Sequence, residues 1–141
     1  MEFVTFEIAK KLKEKGFREK CLYRYKTYSK TLHSNQVHPK IARNIDYSEF
    51  YKCYNFFVDS DIDAPTISQV LKWLRKEHHI HFEVVAAAYG YNLIISDTPD
   101  KGGTDRYYSH ANDDGPNYGG AWDEYNDCVL YGIKYVLYYL I

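Results

Sequence analysis

The chain has 141 residues, 45% hydrophobic and 26% charged, with a net charge of −1. That length fits one domain able to bury a core. The composition is that of a globular, soluble protein, and no apolar run approaches the ~18–20 residues that span a bilayer.

Charge is unevenly spread. Residues 1–58 hold 12 Lys/Arg against 6 Asp/Glu, whereas residues 59–141 hold 6 against 13. Such a dipolar chain can steer an approaching partner or neutralise itself across the fold. Cys21, Cys53 and Cys128 are odd in number and widely separated, which argues against a disulfide framework and a zinc ribbon. The 16 tyrosines suit half-buried positions, strands and interfaces.

Glu2 and Glu7 near the start of MEFVTFEIAKKLKEKGF are unlike the basic opening of a secretory signal, so a cytoplasmic setting is expected. The segment reads as a helix over residues 5–15, with Ile8, Ala9 and Leu12 on its apolar face and Gly16 as its stop. CLYRYKTY, residues 21–28, alternates as a strand, and residues 29–46 read as a loop. YKCYNFFV, residues 51–58, is a second strand ending at the acidic DSDID.

APTISQVLKWLRKEH marks a helix start. Thr66 is placed to cap it, with Gln69 completing a capping box, and Ile67, Val70, Leu71 and Leu74 form one stripe. IHFEVVAAAYGYNLIISD reads as a hairpin turning around residues 88–90. The Gly-, Asp- and Asn-rich residues 97–121 read as a long loop excursion, and loops of that length are often functional or mobile. A last helix runs from about Asp123, with Tyr125, Val129, Gly132, Ile133, Val136 and Leu140 on one face. The order α-β-β-α-β-β-α predicts a single two-layer α+β domain, an antiparallel sheet with helices packed on one face.

TFEIAKKLKEKGF, APTISQVLKWLRKE followed by HIHFEV, and the closing IKYVLYYLI resemble a group of small uncharacterised proteins of tailed phages, prophages and mobile elements of gut bacteria. The resemblance covers about half the chain and rests on helix caps and packing positions. It implies a fold and a bacterial host cell, and it carries no catalytic residues. The chain departs from the family in having tyrosines where its last helix carries outer charges, and in the elaborated loop at 97–121.

Three constellations bear on function. In KEHHIHFE, residues 76–83, His78 ends a helix, where its dipole favours a cation. Strand alternation then puts His79, His81 and Glu83 on one face, a ligand set for zinc or iron that lacks a nearby fourth member. Tyr23, Tyr25 and Tyr28 interleave with Arg24, Lys26 and Lys30, the pattern of single-stranded nucleic-acid or nucleotide binding, although the chain is not basic as a whole. On the last helix Tyr131, Tyr135 and Tyr138 recur opposite the core face. A helix apolar all round is buried all round or meets a partner. The 97–121 loop is one cover for those rings; a protein partner or a second copy is the other.

The loop matches neither a calcium hand nor a phosphate loop, and no nucleophile elbow or catalytic cysteine context is present. The sequence therefore favours a cofactor-free binding protein over an enzyme, with no membrane partner. Its expected contact residues are Tyr131, Tyr135 and Tyr138, joined by Tyr107, Tyr108 and Trp122 from the loop, and the family setting suggests a host or defence component as the target. Nucleic-acid binding by the strand at 23–30 is the second reading, and a metal site at His79, His81 and Glu83 the third.

Overall fold

The structure, a computed structural model, describes residues 2–35, 61–103 and 105–141. The strand expected at 51–58 lies outside them, as does Cys53. The chain is α+β and its described strands pair antiparallel throughout, forming two three-stranded sheets where the sequence suggested one. It divides into two compact units, Phe3–Thr66 and Ile67–Ile141 with Glu2. No described helix is long and apolar enough to cross a membrane.

In the first unit, α1 spans Phe6–Glu14. The Thr5 hydroxyl accepts the Ile8 N–H at 3.3 Å, satisfying one of the donors that a helix start leaves open. Gly16 ends the helix at φ +93°, a conformation that costs glycine least, and Phe17 N–H returns to Leu12 O at 3.0 Å. Val4, Ile8, Ala9, Leu12 and Phe17 are buried with Ile62 and Ala64.

β1 (Tyr23–Tyr25) is the middle strand of its sheet, between β2 (Leu32–Ser34) and β3 (Ile62–Asp63). The strand expected at 21–28 is therefore shorter, and part of the expected loop turns back to pair with it. Lys30 takes φ +55° in that turn, where the sequence offers no Gly or Asn to announce it.

In the second unit, α2 (Ile67–His78) starts immediately after Thr66 and buries Ile67, Val70, Trp73 and Leu74. Leu71, expected in that stripe, is only half-buried. β4 (Ile80–Ala87) and β5 (Gly90–Asp97) form the expected hairpin, in register from Ile80↔Asp97 to Ala87↔Gly90. One face presents Phe82, Val84, Leu93 and Ile95; α3 (Tyr125–Tyr135) packs on it, with α2 in contact with α3 and β4.

Gly132 permits that approach, since a Cβ there would lie 2.7 Å from the Phe82 ring and 2.8 Å from a Leu93 methyl. Cys128, Val129, Ile133, Val136 and Leu137 complete the core. Tyr125 and Leu140, expected on this face, are displaced from it: Tyr125 is exposed and Leu140 half-buried. Past Tyr135 the helix widens to π geometry over Val136–Leu140, with Ile141 N–H donating to Val136 O at 3.1 Å. That widening shifts the angular spacing on which the expected place of Leu140 depended; Tyr125 lies ahead of it, at the helix start.

The described residues of 97–121 form more than the expected loop. They contain β6 (Arg106–Tyr108), which pairs with β5, and short 3-10 turns at Pro99–Lys101, His110–Asn112 and Tyr118–Gly120.

Candidate functional site

The segment that leaves β5 returns over the flank of α3 and carries aromatic rings onto it. Tyr108, at 2% exposure, sets its ring 4.9 Å from that of Tyr135 and 5.9 Å from that of Tyr131. Trp122, at 8%, lies 5.0 Å from Tyr131. The Trp122 backbone is fixed by two hydrogen bonds with Tyr91, of 2.7 and 3.0 Å. Gly90 makes room for it, as a Cβ there would stand 2.3 Å from the Trp122 carbonyl oxygen.

A carboxylate anchors the hydroxyl ends of this cluster. Tyr108 Oη donates to Asp114 Oδ2 at 3.0 Å. Burial, then the Asp114 carboxylate that accepts its hydrogen bond, pushes the Tyr131 hydroxyl up to about 12. Tyr108 is raised by the same two causes. Both phenols thus remain protonated donors in the ordinary pH range.

Around these buried rings stands an exposed set. Tyr135 carries Tyr139 at 4.9 Å, and Tyr139 is 74% exposed. Tyr91 meets the exposed Tyr125 edge-on at 5.7 Å. At the hairpin tip Tyr89 meets Tyr118, which is 80% exposed, at 5.1 Å. Asn117 ties this end down, donating to Tyr89 O at 2.7 Å and to Asp123 Oδ1 at 2.6 Å. These exposed rings are thus each backed by a ring contact, Tyr118 at the hairpin tip, Tyr125 at the start of α3 and Tyr139 near its end.

The structure thus divides the six residues expected to touch a partner. Tyr108 and Trp122 are core, and the loop is itself a cover for Tyr131 and Tyr135, which stay half-buried. Tyr138 is exposed. Tyr107 is exposed but reaches Asp97 Oδ1 at 2.5 Å, away from the other five. Sequence reasoning missed Tyr89, Tyr118 and Tyr139. The glycines that follow Tyr118 and Tyr89 were the available signal that those rings sit on tight turns.

The metal candidates do not converge, and among the described residues no three His, Cys, Asp or Glu side chains are grouped to hold an ion. His79 precedes the strand at φ +56°, so it drops out of the expected alternation, and its Nδ1 lies 2.9 Å from Asp100 Oδ2. His81 and Glu83 face outward on β4, opposite Ser96 and Ile94. His78 packs edge-on against Trp73 with ring centroids 4.6 Å apart. Burial there holds its imidazole below the ordinary value, opposite in direction to the cation expected at that helix end.

The basic strand is likewise turned inward. Arg24, 5% exposed, donates from Nε to Asp61 Oδ2 at 3.0 Å and from Nη1 to Ser34 O and Asn35 Oδ1. Lys26 Nζ stands 3.2 Å from the same Asp61 oxygen. Burial alone would raise the Asp61 carboxyl, but these hydrogen bonds and charges more than offset it and hold it below its ordinary value. Tyr23 and Tyr25 spend their rings on Phe3 and Phe6, at 4.9 and 5.7 Å, and Tyr25 Oη donates to Val4 O. Tyr28 is exposed, and Lys30 reaches Glu7 at 3.6 Å. The expected row of stacking rings and phosphate-binding cations is mostly committed inside its own unit.

No known family model, curated protein or solved structure matches this chain, so the aromatic series of the second unit is where its own geometry points.

Proposed function

We propose that the chain is a non-enzymatic binding protein whose exposed tyrosines, Tyr89, Tyr118, Tyr125, Tyr138 and Tyr139, form the surface that meets a protein partner. The observation that carries this reading is the set of ring contacts that backs the exposed tyrosines. Tyr108, Trp122, Tyr131 and Tyr135 are locked by packing and by Asp114 and back exposed Tyr139 through Tyr135, while Tyr118 packs on Tyr89 and Tyr125 on Tyr91. Tyrosine offers large contact area with few rotatable bonds, so rings already held by their neighbours lose little entropy on binding. Interface hot spots are rich in tyrosine for the same reason. The resemblance to phage and mobile-element proteins sets this partner within a bacterial host, as a host or defence component that the protein modulates.

The test is photo-crosslinking in bacterial cells with the label placed at Tyr118 and, separately, at exposed Lys72 on α2. The reading expects a discrete adduct from position 118, lost when Tyr125 and Tyr139 are changed to Ser, and none from position 72. Equal adducts from both positions, or an adduct indifferent to Tyr125 and Tyr139, would refute it.

A further inference from the structure

The charge near Tyr118 and Tyr125 is one-sided, while exposed Lys134 lies next to Tyr135 and four residues before Tyr138. From Tyr107 to Ile133 the sequence contains no Lys or Arg, and it contains Asp113, Asp114, Asp123, Glu124 and Asp127. The hairpin segment 84–94, which supplies Tyr89 and Tyr91, carries no charge. All five carboxylate residues are exposed, beside exposed Tyr118 and Tyr125. Two of the carboxylates have work within the fold: Asp114 accepts from Tyr108, and Asp123 accepts from Asn117. Asp113, Glu124 and Asp127 form no ion pair with any described residue.

We infer that the partner of this surface presents an Arg- or Lys-rich protein segment. The inference rests on the binding reading above and specifies its chemistry. Tyrosine faces attract cations through the ring quadrupole, and arginine also stacks flat on them. The unpaired carboxylates supply the complementary field, which speeds encounter and disfavours acidic partners. A neutral or acidic partner would meet the aromatic rings but would leave those carboxylates unpaired or repelled.

The probe is a labelled peptide of about a dozen residues rich in arginine, with an acidic peptide of equal length as control, titrated against the full-length protein by fluorescence anisotropy at low and physiological salt. Saturable binding of the basic peptide alone is expected, weakening severalfold or more as salt screens the carboxylates. The triple variant Asp113→Asn, Glu124→Gln, Asp127→Asn should weaken it about tenfold or more at low salt. Tyr118→Ser with Tyr125→Ser should weaken it at both salts.

No binding of the basic peptide, or binding that ignores the triple variant, overturns the inference. Salt-sensitive self-association of the protein alone, seen in sedimentation and not competed by the peptide, also overturns it by assigning the surface to a second copy. A crosslink from Tyr118 that persists in the triple variant yet disappears on removal of Tyr125 and Tyr139 would leave the binding reading intact and remove only its basic partner.

Discussion

Single residues in this protein are explained by what they are paired with. Arg24 is a cation taken almost wholly out of solvent, and it is tolerated because Asp61, Asn35 and the Ser34 carbonyl satisfy it. Removing one partner of a buried pair costs about 3–5 kcal/mol, because the other charge is left uncompensated. Lys26 remains beside Asp61, so Arg24→Ala belongs at the low end, about 3 kcal/mol, read as a fall in the urea midpoint at unchanged slope.

The two described cysteines obey a simpler rule. Burial first, then Asp63 and Glu19, pushes the Cys21 thiol up to about 12, and burial pushes Cys128 up to about 11. The reactive species is the thiolate, so near pH 8 neither should take iodoacetamide in the native state, and both should do so in denaturant. Mass mapping of the two peptides checks this.

His78 supplies a pH dependence with a definite sign. Burial beside Trp73 lowers its folded-state value below the ordinary 6.5, with Glu77 opposing the shift and His79 adding to it. Between the folded and unfolded values the unfolded chain binds more protons, so stability rises with pH there. Its contribution is complete above 6.5 and is lost as pH falls below it. His78→Gln should flatten the fall in unfolding free energy as pH drops below 6.5.

At the scale of elements, α3 lies close against its sheet. Gly132 sits against Phe82 and Leu93, and Leu93 is fully buried and has nowhere to go. Gly132→Ala improves helix propensity by about 1 kcal/mol, yet overpacking a tight core costs about 1–3 kcal/mol. The expected outcome is a net loss of stability, seen as a lower unfolding midpoint; a gain would show that the helix can withdraw from the sheet.

The same scale shows how far the sequence could be read. α1 and α2 were legible because their signals are local: Thr5 and Gly16 bracket one, and Ile67, Val70 and Leu74 mark the other. The β4–β5 hairpin was legible from two alternating runs around a turn. The β1–β2 turn was not, because Lys30 adopts its left-handed conformation without the residue types that advertise it. β6 was hidden because a three-residue strand in a glycine-rich stretch has no period to detect. Within the site, the spacing of Tyr131 and Tyr135 was visible on the helix. That Tyr108 and Trp122 would cover them was not, since it depends on β6 and on the Trp122–Tyr91 bridge, pairings between residues distant in sequence.

For the molecule as a whole, the sequence shows an acidic second part and a basic first part, and the structure adds an aromatic surface set among the acidic residues. On the proposed function the tyrosines fall into two populations, one that holds the fold and one that binds. The most direct measurement compares thermal unfolding and partner crosslinking from position 118 for two variants, Tyr125→Ser/Tyr138→Ser/Tyr139→Ser and Tyr108→Ser. Surface changes away from structural features usually stay within about 0.5 kcal/mol each, so the triple variant should unfold within a few degrees of the parent while losing the crosslink. Tyr108→Ser, which empties a buried position, should lower the midpoint by about 10 °C or more. A triple variant that unfolds as early as Tyr108→Ser, or that keeps the full crosslink, would contradict the claim.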